Sequence, residues 1–387
     1  MDYGKYLNKT IQEVKPSGIR RFFDIANEMD DVISLSVGEP DFRTPWHVSK
    51  AGIESLEKGR TWYTPNRGFE ALRKEISSFA SRKYSIEYSP KDEILVTVGG
   101  SEALDLAMRC MLNSGDEVLV HQPSFVCYEP LVMMTGAKPV IINTKQENDF
   151  RLTPEELENA ITPSSKLLIL SYPNNPTGAV MRKTDLEAIR EVILKHDLLV
   201  ISDEIYSELT YNGKHVSIAS LPDMRERTVI INGFSKAYAM TGWRLGYAMG
   251  PAPIMDAMTK LHQYGIMSAP TVAQYAAIEA LKNGDADIEK MRNEYEMRRR
   301  FVVGEFNKMG LTCFEPNGAF YSFPCIKSTG LSSEEFCTRL LRSKKVAIVP
   351  GNAFGESGEG FVRVSYSYSL KHLREALGRI KEFLQEL

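Results

Sequence analysis

Lys236 and, eight residues later, Arg244 give the chain its densest chemical signal, within Ser235-Lys236-Ala237-Tyr238-Ala239-Met240-Thr241-Gly242-Trp243-Arg244-Leu245-Gly246. The segment follows the apolar run Val229 to Asn232, which reads as a strand. A lysine at a strand end inside a fold can have its ammonium destabilised by desolvation and condense with an aldehyde. The planar fork of an arginine suits a phosphate, to which it can donate two parallel hydrogen bonds. Taken singly, such residues are more often a surface lysine and a structural arginine, so the neighbours have to be weighed with them. Asp203 follows the apolar run Leu198 to Ser202, and an acid at a buried strand end is rarely left unpaired, because an isolated buried charge is costly. It fits a structural ion pair and equally a partner for a protonated heterocycle nitrogen. Tyr206 fits core packing or a phenol donor. Pro173-Asn174-Asn175-Pro176-Thr177-Gly178 is a turn after another strand, and its asparagines can simply fold that turn. Gly99-Gly100-Ser101 lies between a strand and a helix, where first-turn N–H groups and the helix dipole can cradle a phosphate. Glycine is common in such turns, and neither G-x-G-x-x-G nor a P-loop pattern occurs.

Positioning these groups calls for a sheet. Glu93 to Val98, Glu117 to His121, Leu167 to Ser171, Leu198 to Ser202 and Val229 to Asn232 read as strands, and Ser101 to Leu112 as a helix. Thr153-Pro154-Glu155-Glu156 is a capping box with proline at the first helical position, and Thr184-Asp185-Leu186-Glu187 reads as a second box. Near-continuous apolar strands alternating with helices predict an α/β unit with a mainly parallel sheet covered on both faces. Ligands bind at the carboxyl ends of such strands, where most of the candidate residues fall. The last hundred residues predict a compact α+β unit. A charged helix spans about Asp285 to Met309, and a hairpin-like turn falls at Pro316-Asn317-Gly318. A helix near Ser332 to Leu341, strands Val346 to Val349 and Phe361 to Tyr366, and a final amphipathic helix follow. The expected division is a large domain over 46–285 and a small domain made of 1–45 and 286–387.

Composition narrows the classes. The 387 residues carry a formal net charge of -3 with scattered lysine and arginine, which marks no nucleic-acid or membrane surface. Five cysteines without a C-x-x-C pair argue against a zinc site or a disulfide framework and fit a reducing compartment. No metal is expected, no run approaches the roughly 20 apolar residues of a membrane span, and a cytoplasmic location is expected.

Together these segments resemble the class I aminotransferases of the fold-type I pyridoxal-phosphate family. The resemblance covers nearly the whole chain. It runs from Ser36-Val37-Gly38-Glu39-Pro40-Asp41-Phe42 and Tyr63-Thr64-Pro65-Asn66-Arg67-Gly68 through Asn174-Asn175-Pro176-Thr177-Gly178, Ser202-Asp203-Glu204-Ile205-Tyr206 and the Lys236 segment to Phe361-Val362-Arg363-Val364-Ser365. Pro16-Ser17-Gly18-Ile19-Arg20 is similar to the subgroup holding aromatic and broad-specificity enzymes. The resemblance implies pyridoxal 5'-phosphate as cofactor and a ping-pong transfer of an amino group from an L-amino acid to a 2-oxo acid. Lys236 is then the Schiff-base lysine and general base, Asp203 the partner of the ring nitrogen, and Tyr206 and Asn175 the ligands of the ring's 3'-oxygen. Gly100, Ser101, Glu102 (through its backbone N–H), Ser235 and Arg244 fall to the phosphate, and Phe125 to stacking on the ring. Arg363, with Gly38 and Asn175, falls to the substrate α-carboxylate. Tyr63 is implied to reach the cofactor phosphate of a second subunit in a homodimer. Asn175–Pro176 is a candidate for a cis peptide.

Substrate identity is less marked. No arginine occurs between Ile266 and Pro270, and Ser101 stands where bacterial aspartate enzymes of the subgroup often carry lysine, although Arg20, Arg21 or Arg109 could substitute. A carbon–sulfur β-lyase shares fold, cofactor and lysine and is the main enzymatic alternative. That branch often has histidine where this chain has Tyr206. A pyridoxal-phosphate-binding regulator would need an N-terminal helix-turn-helix domain, for which the residues before Ser34 are too few.

Overall fold

The computed structural model describes residues 1, 3–16 and 29–387, and in it the apolar runs become strands of a sheet covered on both faces. Strand β1 (Ile33–Ser34) is followed by β2 (Ile94–Thr97), β3 (Glu117–Gln122), β4 (Lys138–Asn143), β5 (Ser165–Ser171), β6 (Leu199–Asp203), β7 (Thr228–Gly233) and β8 (Gly246–Met249). The last seven form one sheet in the order β2-β8-β7-β6-β5-β3-β4. Its pairings from β4 across to β7 are parallel, whereas β8 runs antiparallel to both β7 and β2. Alternate residues of each strand point to opposite faces. Val118, Val120, Ile169, Ile201 and Ile231 accordingly pack with Leu104, Ala107 and Met108 of helix Gly99–Met111. Leu119, Leu168, Leu170 and Val200 pack on the other side with Leu186, Ile189 and Ile193 of helix Lys183–Lys195. Each such aliphatic side chain contributes roughly 1.5–3 kcal/mol on burial.

The C-terminal part continues with helix Asp285–Lys308, β9 (Tyr321–Ser322), helix Ser333–Lys344, β10 (Val346–Ala347), β11 (Val349–Pro350), β12 (Val362–Ser365) and helix Leu370–Gln385. Strands β11, β12 and β9 form an antiparallel sheet, and β1 pairs in parallel with β10. Leu35 N–H donates to Ala347 O at 2.8 Å, and Ser365 N–H donates to Leu35 O at 2.9 Å. The N-terminal segment therefore joins the C-terminal elements, and Leu35 shares an apolar core with Phe336, Val346, Val364 and Leu377.

Four expectations of detail need correction or qualification. Thr153 caps helix Pro154–Ala160 as expected, but Thr184 caps nothing. The next helix starts at Lys183, because the Asp185 carboxylate accepts from Arg182 N–H at 2.9 Å and pairs with the Arg182 guanidinium. Charge-assisted bonds of this kind outweigh what a threonine hydroxyl offers at the same place. Pro316-Asn317-Gly318 does not turn a hairpin: β9 pairs with β12, while Gly318 N–H donates to Gly178 O at 3.0 Å and Pro316 O accepts from Arg299 at 2.8 Å. The segment is laid against the Asn174–Gly178 turn, where a Cβ on Gly318 would lie 2.4 Å from Pro173 Cβ. The single strand expected over Val346 to Val349 is split between two sheets. Most of Pro16-Ser17-Gly18-Ile19-Arg20, and Arg21 with it, lies outside the described residues.

Candidate active site

The carboxyl ends of β5, β6 and β7 open onto a cavity of about 630 Å³. Ser171 and Asp203 close their strands side by side in register, and Lys236 stands three residues beyond the end of β7. Lys236 Nζ donates to Gly38 O at 2.6 Å and lies 5.7 Å from the ring centroids of Tyr206 and Phe320. Burial pushes its ammonium down to about 8, against the opposing pull of Glu39, and Arg363 and Arg244 add to the lowering. Asp203 is buried, and burial pushes its carboxyl up to about 6 while hydrogen bonds from Tyr128 and the Ile205 N–H act the other way. Tyr128 Oη lies 2.8 Å from both Asp203 Oδ2 and Ser171 Oγ; its proton goes to the carboxylate, which can only accept.

At one end of the cavity stands the start of helix Gly99–Met111, with Gly100, Ser101, Ser235 and Arg244 in the wall. Gly99 has φ +77°, and a Cβ there would sit 2.7 Å from Arg244 Nη2. The guanidinium thus lies over the helix N-terminus, held by a bond from Nη1 to Thr241 O at 2.9 Å. The Glu102 side chain turns away from the cavity: Oε2 accepts from Val98 N–H at 2.5 Å, and Oε1 lies 2.7 Å from His262 Nδ1. Its side chain is therefore engaged outside the cavity wall, which Gly100 and Ser101 of the same turn line.

At the other end Arg363 projects from β12. The sequence pattern left it either solvent-facing or inward; it is 3% exposed, between the rings of Tyr321 (4.5 Å) and Phe354 (4.7 Å). Nη1 donates to Asn175 Oδ1 at 2.8 Å and Nη2 to Ser36 O at 2.5 Å, whereas Nε has no partner among the described residues. Tyr321 Oη also lies 2.8 Å from Tyr206 Oη. A Cβ on Gly38 would meet Tyr321 Oη at 2.3 Å, so only glycine leaves this corner open. The Asn175–Pro176 peptide is cis, as are Gln122–Pro123 and Tyr172–Pro173.

Lys236, Arg244 and Arg363 make no ion pair with a carboxylate among the described residues. Cations lacking acids at both ends, an acid between them, and an orphaned guanidinium N–H fit a phosphate, a protonated ring nitrogen and a carboxylate in that order. Phe125 lies in the wall between the ends, 6.1 Å from the Tyr128 ring. Of the expected residues, Tyr63 stands apart: it is 78% exposed and outside the cavity wall. Arg109 is also elsewhere, paired with Asp105 at 2.8 Å. Sequence reasoning missed Tyr128 and Tyr321, which hold Asp203 and Arg363; no spacing marks either of them, since both act across elements far apart in the chain.

Comparison with known proteins agrees with this geometry. The family model described as aminotransferase class I and II matches residues 30–380. Aspartate aminotransferase of Pyrococcus abyssi is 47% identical, over 96% of this chain and 97% of its own length. Aromatic-amino-acid aminotransferase 2 of Thermococcus litoralis is 44% identical over 98% of each. The crystal structure of the aromatic aminotransferase from Pyrococcus horikoshii OT3 matches with a TM-score of 0.91 and 45% identity, covering 94% of this chain and 99% of that one. Nothing in these relatives supports the carbon–sulfur β-lyase alternative. A match this long and this close, on a chain whose lysine, acid and two arginines already converge on one cavity, makes the chain a member of the class I and II aminotransferases: a pyridoxal-phosphate-dependent enzyme that moves an amino group from an amino acid to a 2-oxo acid.

Proposed function

We propose that each candidate residue takes the role its place in the cavity allows, and that the preferred amino donors have uncharged, including aromatic, side chains. Pyridoxal phosphate, when bound, supplies an aldehyde for a lysine and a ring that accepts the charge left when a substrate Cα–H bond breaks. Arg244 and Ser235, with Ser101 and the first-turn N–H groups of Gly100 and Glu102, would hold its phosphate. Asp203 would hold the ring nitrogen in its protonated form, with Tyr206 and Asn175 on the ring oxygen and Phe125 against the ring face. Arg363 would take the α-carboxylate with two parallel bonds, beside Gly38 and Asn175. Lys236 Nζ, its ammonium destabilised by burial, would remove the proton from the substrate Cα and return one when the amino group is handed on.

The observation that carries this reading is the convergence of Asp203, Lys236, Arg244 and Arg363 on one cavity from separate segments of the chain. The preference for uncharged donors rests on charge. Once Lys236, Arg244 and Arg363 are all assigned, the described wall has no cation left for a second carboxylate, and Glu39 adds an acid to it. We further propose a homodimer in which Tyr63 reaches the partner's cofactor phosphate; Trp62, Tyr63, Tyr264, Ile266 and Met267 are all exposed, and Asn66 Nδ2 joins the two segments by donating to Met267 O at 2.9 Å. The division into 46–285 and 1–45 with 286–387 is proposed on the shared core around Leu35. A cytoplasmic location is proposed on five cysteines that are all unpaired; no helix among the described residues is long and apolar enough to cross a membrane.

The test is a visible-absorbance titration of the cofactor-loaded protein with single amino acids, then with 2-oxo acids. Loss of the lysine-bound band with a donor and its return with an acceptor is expected, with aromatic and other uncharged donors ahead of aspartate. Aspartate as the fastest donor would overturn the charge argument, and pyruvate release from a sulfur amino acid with the band unchanged would overturn transamination.

A further inference from the structure

His262 lies in helix Ala252–Gly265, wholly buried, and belongs to no element of the site described so far. Its Nδ1 is 2.7 Å from Glu102 Oε1, and its Nε2 has no partner among the described residues. A carboxylate only accepts, so Nδ1 carries the proton of this bond. Glu102 stands in the first turn of helix Gly99–Met111, the turn that puts Gly100 and Ser101 in the cavity wall. A carboxylate there has two places to go. Its own first-turn N–H groups attract it, and occupying them would compete with any bound anion. In the structure it is turned back instead, with one oxygen on Val98 N–H and the other on His262.

We propose that His262 is a positioning residue for the cofactor phosphate, acting through Glu102. By donating to Oε1 it holds the carboxylate against Val98, keeps the N–H groups of Gly100 and Ser101 free, and draws negative charge away from the phosphate end. The proposal rests on the reading that the phosphate binds at this helix start, and its test separates the two. Without the Nδ1–H donor, Glu102 is held only by Val98 N–H at the N-cap and can swing onto the N–H groups of Gly100 and Ser101.

The apoprotein is titrated with pyridoxal phosphate and with pyridoxal, which has the ring and aldehyde but no phosphate, following the quenching of tryptophan fluorescence. His262→Leu should raise the Kd for pyridoxal phosphate about tenfold, the scale of a charge-assisted bond lost beside a helix terminus. The Kd for pyridoxal should change less than about twofold on the same reasoning. His262→Asn, whose amide can donate from nearly the position of Nδ1, should stay near the parent protein, and adding Glu102→Gln to His262→Leu should recover most of the loss by removing the competing charge. Equal weakening of both ligands in His262→Leu would make the residue a packing element and overturn the proposal. So would unchanged binding of both, or an equally large loss in His262→Asn. Arg244→Gln is the reference: it should weaken pyridoxal phosphate and spare pyridoxal. If it does not, the phosphate is held elsewhere and the role of His262 falls with that reading; if it does and His262→Leu does not, His262 alone is at fault.

Discussion

Burial works on Lys236 and Asp203 in one sense, disfavouring charge on both, and the two responses differ because one is a base and the other an acid. The Lys236 ammonium, pushed down to about 8, loses its proton well below the ordinary lysine range. Only the free amine attacks an aldehyde, so capture of pyridoxal phosphate by the apoprotein should accelerate as pH rises, with a midpoint near 8, followed by stopped-flow absorbance. Asp203 is raised to about 6 in the fold, above its ordinary 3.8. Between those values the folded state binds more protons than the unfolded one, so stability falls as pH rises through the window and the cost is complete above it. Asp203→Asn should therefore melt higher than the parent apoprotein at neutral pH, and the gap should close below the ordinary carboxyl value. The same variant should transaminate about a hundredfold more slowly, the order expected for losing a charged hydrogen bond to the ring. A calorimetric scan across pH and a steady-state assay read the two effects separately. An apoprotein melt that does not move would show that Asp203 is better solvated than its buried place implies.

The strand ends and helix starts that carry these groups are where local geometry turns into binding. Gly99 adopts a conformation that alanine enters only at a cost, and its missing Cβ leaves room for the Arg244 guanidinium. Gly99→Ala should lower stability by about 1–2 kcal/mol in a urea titration and weaken pyridoxal phosphate as well, because Arg244 must shift. Weakening without destabilisation would mean that the backbone at 99 tolerates the side chain. At this scale much was legible in the sequence. Continuous apolar runs announce strands buried on both faces, and Thr153 with Glu156 announces its helix. The runs of β4 and β8 went unread because β4 begins Lys138-Pro139 and β8 is a four-residue piece opening with glycine. The cap on Asp185 and the pairing of β9 with β12 depend on competition between partners, which periodicity does not rank.

Across the whole molecule, the candidate site was legible where a residue's type and its place at a strand end agree, as with Lys236 and Asp203, and where spacing tied Arg244 to Lys236. It was illegible where a residue acts across the fold: Tyr128, Tyr321 and His262 are ordinary residues until distant elements meet. Arg363 needed the fold most, since its alternation in β12 left inside and outside equally open and only the covering rings of Tyr321 and Phe354 decide it. Sedimentation equilibrium should give twice the 43.6 kDa chain mass. Tyr63→Phe should weaken the cofactor several-fold without changing that mass, since about 1 kcal/mol for a lost neutral hydrogen bond corresponds to that range. A monomer binding pyridoxal phosphate at full strength would remove Tyr63 from the site.

The parallel pairing of β1 with β10 also sets a schedule for synthesis. Ile33 has to wait for Val346, its partner in register, which at about 5–20 residues per second means a delay on the order of 15–60 s on the ribosome. The sheet from β2 to β8 can close in that interval and bring Asp203, Lys236 and Arg244 together, while Arg363 has yet to emerge. A nascent chain can therefore gather Asp203, Lys236 and Arg244 on one cavity before Arg363 joins them, with the Ile33–Leu35 stretch still lacking its strand partner. A chaperone that recognises short apolar segments has its longest opportunity at this end of the molecule.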